Sequence, residues 1–218
     1  MTPADRRTLK ESAGAVLVLA LTFSAAYFIH GTGLRPTKPA VSADPSDLPD
    51  ILPARTRKLL LFYYEATPER RAIIKETVFW TQAATDRLCM EDQTDTLLAM
   101  AWRESAFDPK AKDGHPSKSF GVYQTLNRYE RRLRRAWALL GVTLGPRTEI
   151  RTQAYLGVME YRNHLIGAKG DVLRAVTHYN GSGSRAELYA WRVLASRARI
   201  FGEVWTPNEK RLPATPCK

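Results

Sequence analysis

Helix and loop meet in one segment of this chain, Asp92–Pro109, which reads DQTDTLLAMAWRESAFDP. Its apolar residues recur at helical spacing from Asp92, a residue type that favours helix caps, to about Glu104. Prolines and glycines then interrupt the pattern over residues 105–125, which predicts an irregular stretch with a small hairpin. An acidic side chain therefore stands where an apolar helix runs into a loop.

Glu104 is a candidate for acid–base chemistry because of the residues around it. It follows Trp102 and precedes Phe107, and apolar neighbours disfavour the charged form of a carboxyl group. We therefore expect the pKa of Glu104 to be raised, which suits a general acid. The position alone assigns no catalysis, because a glutamate in the last turn of a helix is usually just solvated.

Helical patterns continue on both sides of this segment. Thr67 followed by Pro68 is typical of a helix start, and Ser184 with Glu187 has the spacing of a capping box. The other predicted helices are a short one around 59–63, then 68–89, 127–140, 148–167, 171–180 and 184–201. The residues alone thus predict a mostly α fold with one small irregular or hairpin region.

The N-terminal part of the chain predicts an anchor and a tether. Residues 1–11 are basic, and residues 12–30 lack Asp, Glu, Lys and Arg over the length of a membrane-spanning helix. The basic flank keeps that end in the cytoplasm, so the rest of the chain is expected outside it. A cleaved signal peptide, with small residues at Ser24–Ala26, and a buried core helix are the alternatives. Proline-rich residues 31–54 predict a linker, and residues 55–218 the folded domain.

Composition limits the classes of protein and partner. With 44% hydrophobic residues and two cysteines among 218 residues, the chain is neither disordered nor a disulfide-rich mini-protein. The 33 Lys and Arg against 22 Asp and Glu give a net charge of +11, which favours nucleic acid, lipid headgroups or an acidic wall glycan. The arginines of Arg128–Arg135 lie opposite Leu133, Trp137 and Leu140 on a helix, which predicts a solvated face rather than a surface that reads bases.

Four segments of the chain match the motifs of one family, in that family's order. Arg103–Pro109 resembles the Glu-Ser-x-Phe/Trp-Asn/Asp-Pro motif of the soluble lytic transglycosylases, which are similar to goose-type lysozymes. Gly121–Gln124 is similar to their Gly-Leu-Met-Gln motif, and Glu149–Tyr161 to their Asn-Ile…Tyr-Leu helix. Ala175–Gly181 resembles their Ala-x-x-x-Tyr-Asn-Ala-Gly motif. The resemblance covers about Asp92–Trp191.

The resemblance implies a lysozyme-like helical domain that cleaves peptidoglycan with a single carboxyl group. It assigns Glu104 as the general acid and base, with Ser105 beside it as an orienting residue. Gln124 would line the sugar cleft, Tyr179 would approach the catalytic carboxylate, and Asn180 would shape the turn below it. The family leaves a 1,6-anhydro-muramoyl end on the cleaved glycan strand, and no cofactor or metal is expected.

The chain departs from the family pattern in the residues that shape the sugar subsites. Tyr123 replaces the motif methionine, and it is interpreted either as a stacking platform for a sugar ring or as a partly buried aromatic. Glu149 replaces the motif asparagine, and the loop Lys110–Ser119 is longer and more polar than the family's. The histidines lack any spacing typical of metal ligands.

Other functions remain as alternatives. Asp113, nine residues after Glu104, with Ser119 six further on, has nearly the spacing of the Glu-x₈-Asp-x₅-Thr pattern of phage lysozymes, which would make the protein a hydrolase. The other two alternative functions are a scaffold that binds the cell wall without cleaving it and a module that binds nucleic acid. Whether Cys89 and Cys217 form a disulfide stays open.

The expected partners and location follow from the resemblance and from the N-terminal segment. Peptidoglycan glycan strands are the expected substrate, the membrane is expected to hold the N-terminal helix, and nucleic acid is not expected. The catalytic domain would lie in the periplasm on a single-pass inner-membrane anchor, or be secreted there after cleavage. A role beside an envelope-spanning secretion, conjugation or phage machinery is consistent with this arrangement.

Overall fold

The computed structural model describes residues 53–62, 66–112 and 119–202, and most of them are helical. The α-helices are α1 Pro53–Phe62, α2 Pro68–Arg87, α3 Thr94–Ser105, α4 Asn127–Leu139, α5 Ile150–Gly167, α6 Val172–Asn180 and α7 Ser184–Phe201. An antiparallel hairpin pairs β1, Ser119–Phe120, with β2, Thr125–Leu126. The prediction of a mostly helical fold with one small hairpin is confirmed for these residues.

Several predictions fall outside the described residues. They are the basic N terminus, the anchor at 12–30 with its signal-peptide alternative, the linker up to residue 52, and Asp113. None of the helices within the described ranges is both long enough and apolar enough to cross a bilayer. Cys89, just after α2, is disulfide-bonded, and the only other cysteine of the sequence, Cys217, lies outside the described residues.

Two of the predicted helix caps are wrong. Asp92 lies in the 3-10 turn Glu91–Gln93, where its carboxylate accepts a hydrogen bond from the Gln93 side chain at 3.0 Å instead of capping α3. Ser184 is already the first residue of α7, which follows Gly183 at φ +80°, so the capping box does not form. Serine rarely adopts that backbone conformation, and the chain therefore enters α7 through the glycine.

The start of α2 agrees with the sequence, and α1 is held against the domain. The Thr67 hydroxyl caps α2 by accepting a backbone hydrogen bond at 3.3 Å, with proline at the first helical position. In α1, Leu59 is fully buried. Arg55 donates to the carboxylate of Asp95 at 2.5 Å and to the side chain of Gln82 at 2.6 Å. These contacts fasten α1 to both α2 and α3.

Helix α5 is the centre of the domain. It packs against α2, α4, α6 and β2, and every residue from Thr152 to Tyr161 is buried. A helix that is buried on all sides leaves its polar side chains no access to bulk water, so each needs a partner within the protein. Helix α7 packs against α1, α3 and α6, and its Tyr189 meets the C-terminal end of α3 at Glu104.

Helix α4 presents a basic face to solvent, as predicted. Leu133 and Trp137 are fully buried, and the Trp137 indole donates to the carbonyl oxygen of Tyr155 at 2.7 Å. The exposed arginines of this helix are Arg128, Arg131, Arg132 and Arg135. Leu140 was expected on the apolar face but is 40% exposed, because α4 ends one residue before it.

A glycine in α5 allows the hairpin loop to approach the helix closely. A Cβ atom built on Gly157 would lie 2.6 Å from the Cβ of Tyr123 and 2.7 Å from its Cδ2. Tyr123 is fully buried, and its hydroxyl makes a 2.7 Å hydrogen bond with the hydroxyl of Thr81 in α2. The Tyr123 ring is therefore fixed between α2 and α5.

We predict that Gly157→Ala destabilises the protein by about 1–3 kcal/mol, because the added methyl group overlaps the Tyr123 ring. A loss of stability is informative in itself, since alanine in a helix interior is otherwise favoured over glycine by about 1 kcal/mol. Urea unfolding of both proteins measures the difference. Gly167→Ala is the matched control: nothing lies within 4 Å of its new Cβ, so no loss is expected. Equal stability of Gly157→Ala and wild type would contradict the close packing.

Candidate active site

Glu104 lies in the last turn of α3, where it is partly buried. The helix stops just beyond it because Ala106 adopts a left-handed conformation, φ 51° and ψ 37°, and its N–H group donates to the carbonyl oxygen of Trp102 at 2.9 Å. Phe107 also has a positive φ, 62°, and is fully buried. Burial of this ring stabilises a turn that two non-glycine residues otherwise disfavour.

Tyr189 holds Glu104 from the neighbouring helix. The hydroxyl of Tyr189, on α7, donates a hydrogen bond to Oε1 of Glu104. Burial, and then the negative charge of Glu104, raise the pKa of Tyr189 well above its ordinary range. The phenol therefore keeps its proton and acts only as a donor towards the carboxyl group. Sequence reasoning missed Tyr189, which lies outside the four motif segments.

Ser105 binds the neighbouring loop. Its hydroxyl lies 2.9 Å from the carbonyl oxygen of Val122 and 3.3 Å from that of Ala101. The first of these contacts ties the end of α3 to the loop between β1 and β2. Ser105 thus fixes the relative position of two motif segments that lie 17 residues apart in the chain.

Gln124 stabilises the same loop from within. Its side-chain N–H groups donate to the carbonyl oxygens of Gly121, at 2.8 Å, and Ala111, at 3.1 Å, and its side-chain oxygen accepts from Ser119 at 2.8 Å. Gln124 itself has a positive φ of 47°, and these three bonds maintain it. The side chain that was predicted to line a sugar cleft is therefore seen to hold the conformation of the loop.

For Tyr123, the structure favours the buried alternative. The side chain is 0% exposed, so its ring offers no face to a sugar. Burial raises the pKa of its hydroxyl far above the ordinary value, and the hydroxyl shares a hydrogen bond with that of Thr81. The substitution of tyrosine at this motif position thus serves the packing of the loop on α2 and α5.

Tyr179 and Asn180 end helix α6 beside this loop. The Tyr179 hydroxyl donates to the carbonyl oxygen of Tyr123 at 2.7 Å. Burial raises the pKa of Tyr179 well above its ordinary range, and the negative charges of Glu160 and Glu104 raise it further. Tyr179 therefore lies close enough to both carboxyl groups to be influenced by each. Asn180 is exposed at the last position of α6.

Gln153 of α5 joins two of the motif segments. Its side-chain oxygen accepts from the N–H group of Val122 at 2.8 Å, and its side-chain nitrogen lies 3.0 Å from the carbonyl oxygen of Pro109. The same nitrogen lies 3.1 Å from the carbonyl oxygen of Arg147. Gly121 packs directly on this side chain, because a Cβ there would overlap the Gln153 amide. A buried amide thus positions the loops that flank Glu104.

Glu160 is a second carboxyl group near Glu104, and it too was missed from the sequence. It is 3% exposed, and its Oε2 has no hydrogen-bond partner within the described residues. Burial, and to a smaller extent the charge of Glu104, together raise the pKa of Glu160 to about 7 against the opposing effect of nearby arginines. The sequence contains a signal that could have identified it, because Glu160 is the only charged residue between Thr152 and Tyr161.

The structure thus brings most of the predicted site residues into one neighbourhood. Contacts link the end of α3, the hairpin loop and the end of α6, with Glu104 next to Tyr189. Within the described ranges, no three His, Cys, Asp or Glu side chains are grouped as a metal site would require. No protein-family model, curated protein or solved structure matches this chain.

We predict that Gln153→Met destabilises the protein by about 1–3 kcal/mol, the cost of leaving the buried N–H group of Val122 without an acceptor. Methionine is similar in length and fills the space, so the loss reports on the hydrogen bonds. Denaturant unfolding measures the stability. A Gln153→Met protein as stable as wild type would contradict the positioning role of this amide.

We also predict a pH-dependent stability that depends on Glu160. Its pKa in the folded protein, about 7, lies above the ordinary value of 4.5, so folding favours the protonated form. Stability is therefore lost as pH rises from about 4.5 to about 7, by on the order of 3 kcal/mol. Glu160→Gln should remove this loss and be more stable than wild type at pH 8.

Unfolding curves measured between pH 4 and pH 8 test the effect of Glu160. Glu187→Gln is the matched control, because Glu187 is exposed in the first turn of α7. Its stability should follow the wild-type pH dependence. A Glu160→Gln protein that loses stability with rising pH as the wild type does would exclude Glu160 as the cause.

Proposed function

We propose that this protein is a peptidoglycan lytic transglycosylase with a lysozyme-like catalytic domain and Glu104 as its general acid and base. The observation that carries the proposal is the convergence of three motif segments around one carboxyl group. Ser105 binds Val122, Tyr179 binds Tyr123, and Tyr179 is influenced by the charge of Glu104. The motifs were identified from residue types alone, so their contacts in the fold are an independent argument.

The surroundings of Glu104 suit a group that first gives and then takes a proton. The C-terminal end of a helix carries partial negative charge, which disfavours an ionised carboxylate and favours the acid form. The Tyr189 hydroxyl donates to Oε1 of Glu104, which stabilises the carboxylate once the proton has left. A carboxyl group balanced between these effects can serve in both protonation states.

The proposed reaction begins with protonation of the glycosidic oxygen between N-acetylmuramic acid and N-acetylglucosamine by Glu104. The bond from this oxygen to C1 of the muramoyl residue breaks, and an oxocarbenium-like centre develops at C1. The Glu104 carboxylate then takes the proton of the C6 hydroxyl group, whose oxygen attacks C1. The products are a 1,6-anhydro-muramoyl end and a free 4-hydroxyl group, and no water is consumed.

Glu160 is not placed to act as the second catalytic carboxylate of a hydrolase. A second catalytic carboxylate has to face the substrate or its attacking water across the scissile bond. Glu160 is 3% exposed and cannot contact a sugar in this conformation. The rival candidate, Asp113, lies outside the described residues, so the product of the reaction has to distinguish the lyase from the hydrolase.

The charge of the protein fits an anionic polymer of the cell wall. The exposed arginines of α4 contribute to the net charge of +11, and peptide stems of peptidoglycan carry carboxylates. The basic N terminus and the apolar residues 12–30 support an inner-membrane anchor with the catalytic domain in the periplasm. This location is consistent with a role beside a machinery that crosses the envelope and equally with remodelling of the host wall.

We predict that the full-length protein converts purified peptidoglycan to 1,6-anhydro muropeptides, and that Glu104→Gln lowers the rate by about 10²–10⁴-fold. Glutamine keeps the shape but cannot transfer the proton. Mass spectrometry of the released muropeptides identifies the product, and Glu187→Gln should remain active.

Four outcomes would contradict the proposal. Products heavier by one water would indicate hydrolysis, and an inactive but folded Asp113→Ala variant would assign the second carboxylate to Asp113. Activity of Glu104→Gln within threefold of wild type would remove Glu104 from the mechanism. A wall-binding scaffold would bind peptidoglycan and release nothing.

A further inference from the structure

Exposed arginines are grouped on one side of α4. Their spacing of three and four residues places them on the same side of the helix, and we call this surface the basic face: Arg128, Arg131, Arg132 and Arg135. The helix contains no lysine. An arginine presents a planar fork of N–H donors that binds a carboxylate through two parallel hydrogen bonds, which a lysine cannot do. The residue type therefore suits an anion with carboxylate geometry.

The charge of the basic face is not paired within the part of the chain that the structure describes. Glu130 is the only acidic residue of α4, and it is held by Arg134 at 2.7 Å and by Arg147 at 3.0 Å. None of the four arginines of the face forms an ion pair with a described residue, and the buried carboxyl group of Glu160 acts on this face only from a longer distance. The face therefore offers its donors to an external anion.

Tyr129 restrains two arginines of the basic face. The guanidinium carbon of Arg128 lies 4.7 Å from the centre of the Tyr129 ring, and that of Arg132 lies 5.0 Å from it. Stacking on an aromatic ring restricts a long side chain and leaves N–H groups at the edge of the guanidinium for other partners. These two side chains therefore lose less conformational entropy when they bind an anion.

The basic face is continuous with the hairpin loop of the candidate site. Helix α4 begins directly after β2, and Gln124 of the loop precedes Arg128 by four residues. Arg147 fixes the connection, because its guanidinium donates to the carbonyl oxygen of Thr125 and to the carboxylate of Glu130. From its first arginine to its last, the face extends about 10 Å along the helix axis. A polymer bound at the loop and longer than the site can therefore reach the basic face.

We propose that the basic face binds the carboxylates of the peptide stems of peptidoglycan, on muramoyl residues that lie beyond the cleaved bond. The inference rests on the proposed function for the identity of the polymer. These stems carry free carboxylates, and the face presents donors of the opposite charge beside the loop. Whereas the proposed function concerns the reaction at Glu104, this surface selects a glycan strand that carries stems over one that carries none.

A membrane surface is the other anionic partner that a basic helix can meet, and the packing of α4 disfavours it. A helix that lies in the membrane interface buries its apolar side among the lipids. The apolar side of α4 is occupied by the domain instead, since Leu133 and Trp137 are fully buried. Leu139 is 78% exposed, but it is the last residue of the helix. Binding on this face therefore depends on charge and hydrogen bonds.

Binding to insoluble peptidoglycan, measured without cleavage, tests the proposal. The full-length parent protein, kept in detergent, carries Glu104→Gln so that the glycan stays intact. In the basic-face variant all four arginines of the face are changed to glutamine, which has a similar helix propensity. In the matched control, four exposed cations elsewhere in the fold are changed, so that the net charge falls equally: Arg57→Gln, Lys75→Gln, Arg174→Gln and Arg192→Gln.

The basic-face variant should bind intact peptidoglycan about 10–30-fold more weakly than the parent, as expected for the loss of four exposed charge pairs. Both should bind equally to peptidoglycan whose stems have been removed by an amidase, and the control should bind each material as the parent does. With Glu104 restored, the basic-face variant should have a higher KM and an unchanged kcat. If it does not fold, Arg131→Gln with Arg135→Gln, which leaves the contacts of Tyr129 intact, should show a smaller loss of binding.

Equal losses in the basic-face variant and the control would reduce the effect to net charge and overturn the proposal. Stem-free glycan that binds the parent as tightly as intact peptidoglycan would overturn it as well. A third contrary result is a variant with full affinity for peptidoglycan, while hydrogen exchange in α4 slows when the full-length protein is moved from phosphatidylcholine to phosphatidylglycerol nanodiscs; the partner is then the membrane. If the wild type releases no anhydro muropeptides, the proposed function fails, while these binding measurements still decide what the basic face binds.

Discussion

The arrangement of the candidate site depends on one buried amide, that of Gln153. The loops that flank Glu104 expose backbone groups to the interior of the domain, where water cannot satisfy them. A glutamine side chain has both donors and acceptors, and Gln153 uses both kinds, binding Val122 through its oxygen and Pro109 through its nitrogen. No apolar side chain at that position could hold the two loops together.

The same helix then determines how closely the loop approaches. One turn after Gln153, Gly157 allows the Tyr123 ring to lie directly on the backbone of α5, and one further turn brings Glu160. Amide, glycine and carboxylate thus lie on a single stripe, whose first two members contact the hairpin loop. The position of the loop is therefore set by the packed core, which deforms little.

Tyr189 restrains Glu104 without placing a charge beside it. An arginine in place of Tyr189 would supply a full positive charge and keep the carboxylate ionised. A tyrosine hydroxyl supplies a directed hydrogen bond without that charge, and burial together with the charge of Glu104 keeps its own proton in place. Tyr179 is kept neutral in the same way. The geometry of Glu104 is therefore restricted by a neutral donor.

Local patterns predicted the helices and the position of Glu104, because periodicity and caps depend on neighbouring residues. They did not reveal Tyr189 or Gln153, whose roles arise from contacts 85 and 31 residues away along the chain. A tyrosine in an amphipathic helix and a glutamine in a buried one look like ordinary packing residues until the fold is known. Glu160 was detectable in principle, since a lone charge in an otherwise uncharged buried helix needs an explanation.

Backbone conformation marks the limit of local prediction at this site. Ala106, Phe107 and Gln124 all have positive φ values, which non-glycine residues adopt at a cost of about 1–3 kcal/mol each. Their own preferences would continue α3 past Glu104 and open the hairpin loop. Burial of Phe107 and the three hydrogen bonds of Gln124 offset this cost, and both depend on the assembled domain. Because tertiary contacts impose these turns, the end of α3 and the loop that meets it acquire their geometry together.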